Sequence, residues 1–132
     1  REPDMILVDT SILVDFLRSP SPKIRAVLME QGAAICGVTR SELLCGARAK
    51  AEAEKIHAAL NGFTNLEIPE SAWHLLGEHL QTLRSRGVVV PFQDALIATI
   101  AIWYNIPVWT RDGHFQLMQT VLPELQLYQA IP

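Results

Sequence analysis

With 132 residues, 49% hydrophobic and 19% charged, the chain suits one domain with a single buried core and excludes a disordered protein. A net charge of −3 argues against a generally basic nucleic-acid binder, and the longest apolar run, Ala95 to Trp103, is too short to span a bilayer. Two cysteines, Cys36 and Cys45, make neither a disulfide framework nor a zinc quartet; they read as buried free thiols in a reducing, cytoplasmic setting.

The opening REPD is polar and leads directly into a strand, so no signal peptide is visible. Met5 reads as the native start. That leaves Arg1–Asp4 as residues added ahead of it for expression, with the domain running from 5 to 132. Met5 to Val8 is a short apolar run that Asp9-Thr10-Ser11 converts into a helix start. The helix through Ile12 and Leu17 stops at Ser-Pro-Ser-Pro, where Pro20 and Pro22 break it. Lys23 to Glu30 is the next helix and Ala33 to Val38 the second strand. Thr39 opens a helix through Glu42 and Ala47, and another covers about Glu52 to Leu60. Leu66 to Ile68 is a short strand, after which Pro69 introduces a long helix. Trp73, Leu76, Leu80 and Leu83 form one apolar stripe along it. Asp94 to Tyr104 is apolar almost all round and therefore a central helix. Ile106 to Thr110 is the fourth strand, Gly113 to Thr120 a short helix, and Leu125 to Tyr128 a last strand. Alternating β and α units with short connections predict an α/β fold, a mostly parallel sheet of about five strands with helices on both faces.

Four acids stand where strand hands over to helix: Asp9, Glu42, Asp94 and Asp112. In a parallel sheet these handovers fall at the carboxyl edge, where such folds place their sites. Four carboxylates at one edge repel one another unless a cation neutralises them, which predicts a divalent-metal site and phosphodiester chemistry. Each acid also has a plain structural role. Asp9 can cap the helix that follows, and Glu42 can close a Thr39-x-x-Glu42 capping box. Asp94 can complement a helix dipole, and Asp112 can form an Asx-turn before Gly113. Their coincidence at one edge favours the metal site. Without those four of the 14 acids, 10 remain against 11 basic residues, so the acidity is largely local to that edge. His57, His74, His79 and His114 lack paired ligand spacing, and Trp73, Trp103 and Trp109 sit in apolar patterns as core or interface residues.

These residues resemble the PIN-domain ribonucleases, specifically the VapC-type toxins of toxin–antitoxin pairs. ILVDTSILVDFL is similar to the family's opening strand and helix, VTRSELLCGAR to the second-acid segment, DALIATIA to the third-acid motif, and VWTRDGHF to the final segment. His114 departs from the pattern, because many relatives carry an acid there. The resemblance implies a doubly wound five-stranded parallel sheet, a Mg²⁺- or Mn²⁺-dependent endoribonuclease, a homodimer, and a small VapB-like antitoxin, with no membrane partner. It implies that Asp9, Asp94 and Asp112 hold the metal while Glu42 positions or deprotonates the attacking water. Thr10, Ser11 and Thr110 would support them.

The rivals are a phosphoacceptor receiver domain, which needs a late lysine where none follows Lys55, and a dehalogenase-type phosphatase, which needs an aspartate where Ser11 stands. A housekeeping RNA-processing nuclease and a PIN domain that only binds a partner are the alternatives within the family.

Overall fold

Four successive apolar residues leave no polar face, so Met5–Val8 forms a strand buried on both sides, β1. The computed structural model describes residues 5–18 and 21–129. Residues 1–4, read above as an added leader, lie outside these, as do Ser19 and Pro20 of the expected turn. β1 is followed by α1 (Thr10–Arg18), α2 (Pro22–Glu30) and β2 (Gly32–Cys36). Next come α3 (Gly37–Cys45), α4 (Lys50–Leu60), β3 (Thr64–Leu66) and α5 (Glu70–Ser85). α6 (Phe92–Tyr104), β4 (Val108–Trp109) and α7 (Gly113–Gln119) complete the order.

The strands make one parallel sheet in the order β3-β2-β1-β4. Side chains alternate across it. Leu7, Ala34, Cys36 and Val108 face a core layer with Leu76 and Leu83 of α5, most of α6, and Phe115 and Met118 of α7. Ile6, Val8, Ile35 and Trp109 face the other layer, with Ile12 and Leu13 of α1, Ile24 of α2, Leu43 of α3 and Leu60 of α4. Each fully buried Leu or Ile contributes about 1.5–3 kcal/mol on transfer from water, so these two layers hold β1 rigidly between them. α6 is central as its composition requires: Ala95 to Ala101 are all buried. The hydrophobic stripe of α5 is only partly core, because Leu76 and Leu83 are buried while Trp73 is 45% exposed. Trp103 is 40% exposed, whereas Trp109 lies in the core against the edge of Tyr128.

The structure corrects several expected features. Among the described residues the sheet has four strands, not five. The expected last strand is reduced to a bridge between Val108 and Leu127, with the Val108 amide on the Gln126 carbonyl and the Tyr128 amide on the Val108 carbonyl. β4 is itself only two residues long, so it offers little ladder to extend. β3 lies at Thr64–Leu66 rather than Leu66–Ile68, because pairing of Ala34, Ile35 and Cys36 with Thr64, Asn65 and Leu66 sets an edge strand whose side chains are mostly exposed. α3 starts at Gly37, two residues before Thr39, with Cys36 in the cap position and no side-chain cap bond. Cys36 is buried in β2, and burial pushes its thiol up from the ordinary value, but Cys45 at the end of α3 is exposed. Gly87 takes a φ of 74° just after α5, a conformation that disfavours any side chain.

Candidate metal centre

Asp9 straddles strand and helix. Its amide donates to the Trp109 carbonyl at 3.0 Å, extending the β1–β4 ladder, and its carbonyl accepts the first amides of α1 from Ile12 and Leu13. The carboxylate is buried, and two hydroxyls hold its Oδ2, Thr110 at 2.7 Å and Ser11 at 3.0 Å. Ser11 Oγ also accepts the Arg111 amide, and Thr110 Oγ1 accepts the Asp112 amide. The loop after β4 is thereby tied to the start of α1. Oδ2 of Asp9 is thus anchored by both hydroxyls.

Glu42 does not form the capping box that Thr39-x-x-Glu42 suggests. With α3 beginning at Gly37, Thr39 is already inside the first turn, buried beside Cys36 Sγ. Glu42 is exposed in the middle of the helix, and its Oε1 accepts from Thr10 Oγ1 at 2.7 Å. That bond joins α3 to the residue next to Asp9 across 32 positions of sequence.

Asp94 lies in the first turn of α6 behind the Pro91 cap and is 8% exposed. Asp112 caps α7: its Oδ1 accepts the His114 amide at 2.9 Å, so its expected turn role is real. The cap also places the next side chain. His114 Nδ1 stands 2.9 Å from Asp94 Oδ2 and 3.0 Å from Asp112 Oδ1. One donor atom each from Asp94, Asp112 and His114 lie within 4.8 Å of one another, close enough to share an ion. Burial pushes the Asp94 carboxyl above its ordinary value; the hydrogen bond with His114 opposes this, and the charges of Asp112 and Asp9 add to it. The bond to Asp94 in turn raises the His114 imidazole, with desolvation opposing it and the Asp112 charge assisting.

All four acids therefore lie at the carboxyl edge of the sheet, but the donors within 4.8 Å of one another are those of Asp94, Asp112 and His114. Asp9 and Glu42 stand beside that group, tied in through Ser11 and Thr110 and through Thr10. Their donor chemistry fits a hard divalent cation, which takes carboxylate oxygens and waters. Sequence reasoning set His114 aside for lack of a ligand partner at helical spacing. The signal lay in its place two residues after a helix-capping aspartate, which turns its side chain toward the same edge.

The family model of the PIN domain matches residues 6–120. A ribonuclease VapC1 of Methanocaldococcus jannaschii is 28% identical over 120 residues, covering 90% of this chain and 85% of that protein. The fold is similar to that of VapBC2 from Rickettsia felis bound to a promoter DNA fragment, with a TM-score of 0.82, 20% identity, and 94% and 97% of the two chains covered. It is also similar to VapBC-1 of nontypeable Haemophilus influenzae, with a TM-score of 0.80, 17% identity, and 95% and 97% covered. DNA-bound VapBC of Salmonella typhimurium gives a TM-score of 0.80 at 19% identity, with 98% and 99% covered. At these identities the structural likeness concerns the fold.

Proposed function

The chain belongs to the PIN domain family, and from that premise we propose that it is a divalent-metal-dependent endoribonuclease, the toxin of a type II toxin–antitoxin pair. The observation that carries the reading is the convergence of Asp9, Glu42, Asp94 and Asp112 on one sheet edge, with Asp94, Asp112 and His114 donors within 4.8 Å. Asp9, Asp94 and Asp112 would hold Mg²⁺ or Mn²⁺. When bound, the ion supplies charge neutralisation at the phosphate and on the leaving oxygen.

The chain's own residues supply position and a base. Thr110 and Ser11 fix the Asp9 carboxylate through Oδ2, so it needs no reorganisation to meet an ion. Thr10 holds Glu42, which would accept the proton of a water as that water's oxygen bonds to phosphorus and the bond to the ribose oxygen breaks. Among the described residues, no second histidine joins the cluster to act as a general acid.

The toxin reading is favoured over a housekeeping nuclease by an apolar groove of about 270 Å³ between α1, α2 and α4, and over a domain that only binds a partner by the presence of all four acids. It is lined by Phe16, Leu28, Met29 and Phe63, and Met29 is 78% exposed. An amphipathic helix of a small VapB-like antitoxin would cover it. The solved relatives are VapBC proteins in name, which supports the same partner class. The exposed Trp73 and Trp103 offer area for a homodimer, and the pair would act in the cytoplasm on RNA as one domain over residues 5–132.

The test is RNA cleavage by the purified protein after chelator treatment, alone and with Mg²⁺ or Mn²⁺, joined to expression with and without the cognate partner. Cleavage only with metal, and growth arrest relieved by the partner, is the expected result. Cleavage unaffected by chelator, or harmless expression of the active enzyme, would overturn it.

A further inference from the structure

Resting on the metal-centre reading above, we infer that His114 is a nitrogen ligand of the bound ion and biases the site toward Mn²⁺ over Mg²⁺. Three observations carry this. His114 Nδ1 lies 2.9 Å and 3.0 Å from Asp94 Oδ2 and Asp112 Oδ1. Adjacent donors around an octahedral ion with bonds of about 2.1 Å stand about 3.0 Å apart, so Nδ1 stands at the spacing of a neighbouring ligand from each carboxylate, and donors of the three residues lie within 4.8 Å of one another. The Asp112 cap, accepting the His114 amide, holds the imidazole on that side of α7. The ring is also part-exposed, so displacing its contact with the carboxylates by an ion requires no opening of the core.

The chemistry then differs from that of an all-carboxylate site. Mg²⁺ is hard, keeps waters and oxygen ligands, and gains little from an imidazole; Mn²⁺ also favours oxygen donors and is the weakest of the first-row transition ions for nitrogen, yet it accepts an imidazole more readily than Mg²⁺ does. A carboxylate at position 114 would suit Mg²⁺ and add negative charge. A neutral imidazole there lowers the total negative charge facing the ion and supplies a softer donor.

The experiment is electron spin-echo spectroscopy of the full protein loaded with Mn²⁺, together with calorimetric titration of Mn²⁺ and Mg²⁺. The wild-type chain, H114D and H114A would be compared. Expected are a ¹⁴N coupling from one imidazole in the wild type that is absent in both variants, and a fall in the Mn²⁺-over-Mg²⁺ preference on the order of tenfold in H114D. Because the ¹⁴N signal is read on the unaltered protein, poor folding of either variant leaves the inference testable. Mn²⁺ bound with no nitrogen coupling would overturn the inference and leave the carboxylate centre standing. Absence of any metal binding would overturn both.

Discussion

At the Asp9 corner of the edge, two hydroxyls and a buried setting hold the carboxylate; at the Asp94–Asp112 corner, the partner shared by both carboxylates is one part-exposed imidazole. The first corner is built from neutral donors on α1 and the loop after β4, so its geometry does not depend on the charge beside it. The second sets a buried carboxyl against two other acids, and burial with their repulsion pushes Asp94 above its ordinary value. Orientation and charge are thus assigned to different places. On the proposed metal centre, a cation would offset the charge at the Asp94–Asp112 corner and meet a carboxylate already fixed in place at the Asp9 corner.

Changes that touch chemistry without touching either frame should show the largest effect. Glu42→Gln keeps an acceptor for the Thr10 hydroxyl but cannot take a proton. RNA cleavage should fall by about 10²-fold or more, with an unchanged melting temperature, since Glu42 is exposed and caps nothing. Retained activity in a stopped time course would return Glu42 to a structural role.

The neutral corner is tested by Thr110→Val, which removes one hydroxyl from Asp9 and leaves the Asp112 amide without its acceptor. Urea unfolding should show a loss of about 1–2 kcal/mol, and cleavage should drop less than in Glu42→Gln. Equal stability would mean that water replaces the hydroxyl fully.

The smallest effect lies away from the edge, at His79. It is buried on α5, its Nδ1 2.8 Å from Thr99 Oγ1 of α6, and burial holds it below its ordinary pKa while the charges of Glu124 and Glu78 oppose this. The unfolded chain therefore takes up a proton near pH 6.5 while the native chain stays neutral to lower pH. Stability contributed by neutral His79 should fall as pH drops from there toward its native pKa, at no more than about 1.4 kcal/mol per pH unit. Denaturant midpoints between pH 7 and 5 should decline more steeply for wild type than for His79→Gln. Parallel slopes would assign the decline to other groups.

Much of this edge was legible because strand-to-helix handovers are marked locally. MILV followed by Asp-Thr-Ser, and PVWT followed by Arg-Asp-Gly, announce a buried strand and a cap in a few residues, and Asp9 and Asp112 stand in them. What escaped reading is long-range. The start of α3 at Gly37 was hidden because glycine is a poor helix former and Thr39 resembles a cap, so Glu42 looked like half of a capping box. Its actual partner, Thr10, is 32 residues away. His114 meets Asp94 across 20 residues, a contact made by packing α7 against α6 rather than by any spacing within one helix. The fifth strand failed for a similar reason: Leu125 to Tyr128 has strand composition, but β4 gives it only Val108 to pair with.

The most direct measurement compares wild type with Asp94→Asn, both stripped of metal and then given Mn²⁺, for RNA cleavage and thermal unfolding together. Asn keeps the side chain's size while removing a carboxylate that burial and the charges of Asp112 and Asp9 disfavour. A metal centre requires that wild type melt higher and cut RNA only with Mn²⁺. The variant should melt at least as high as wild type without metal, gain little from Mn²⁺ and leave RNA intact. An Asp94→Asn protein that cuts RNA at the wild-type rate would contradict it.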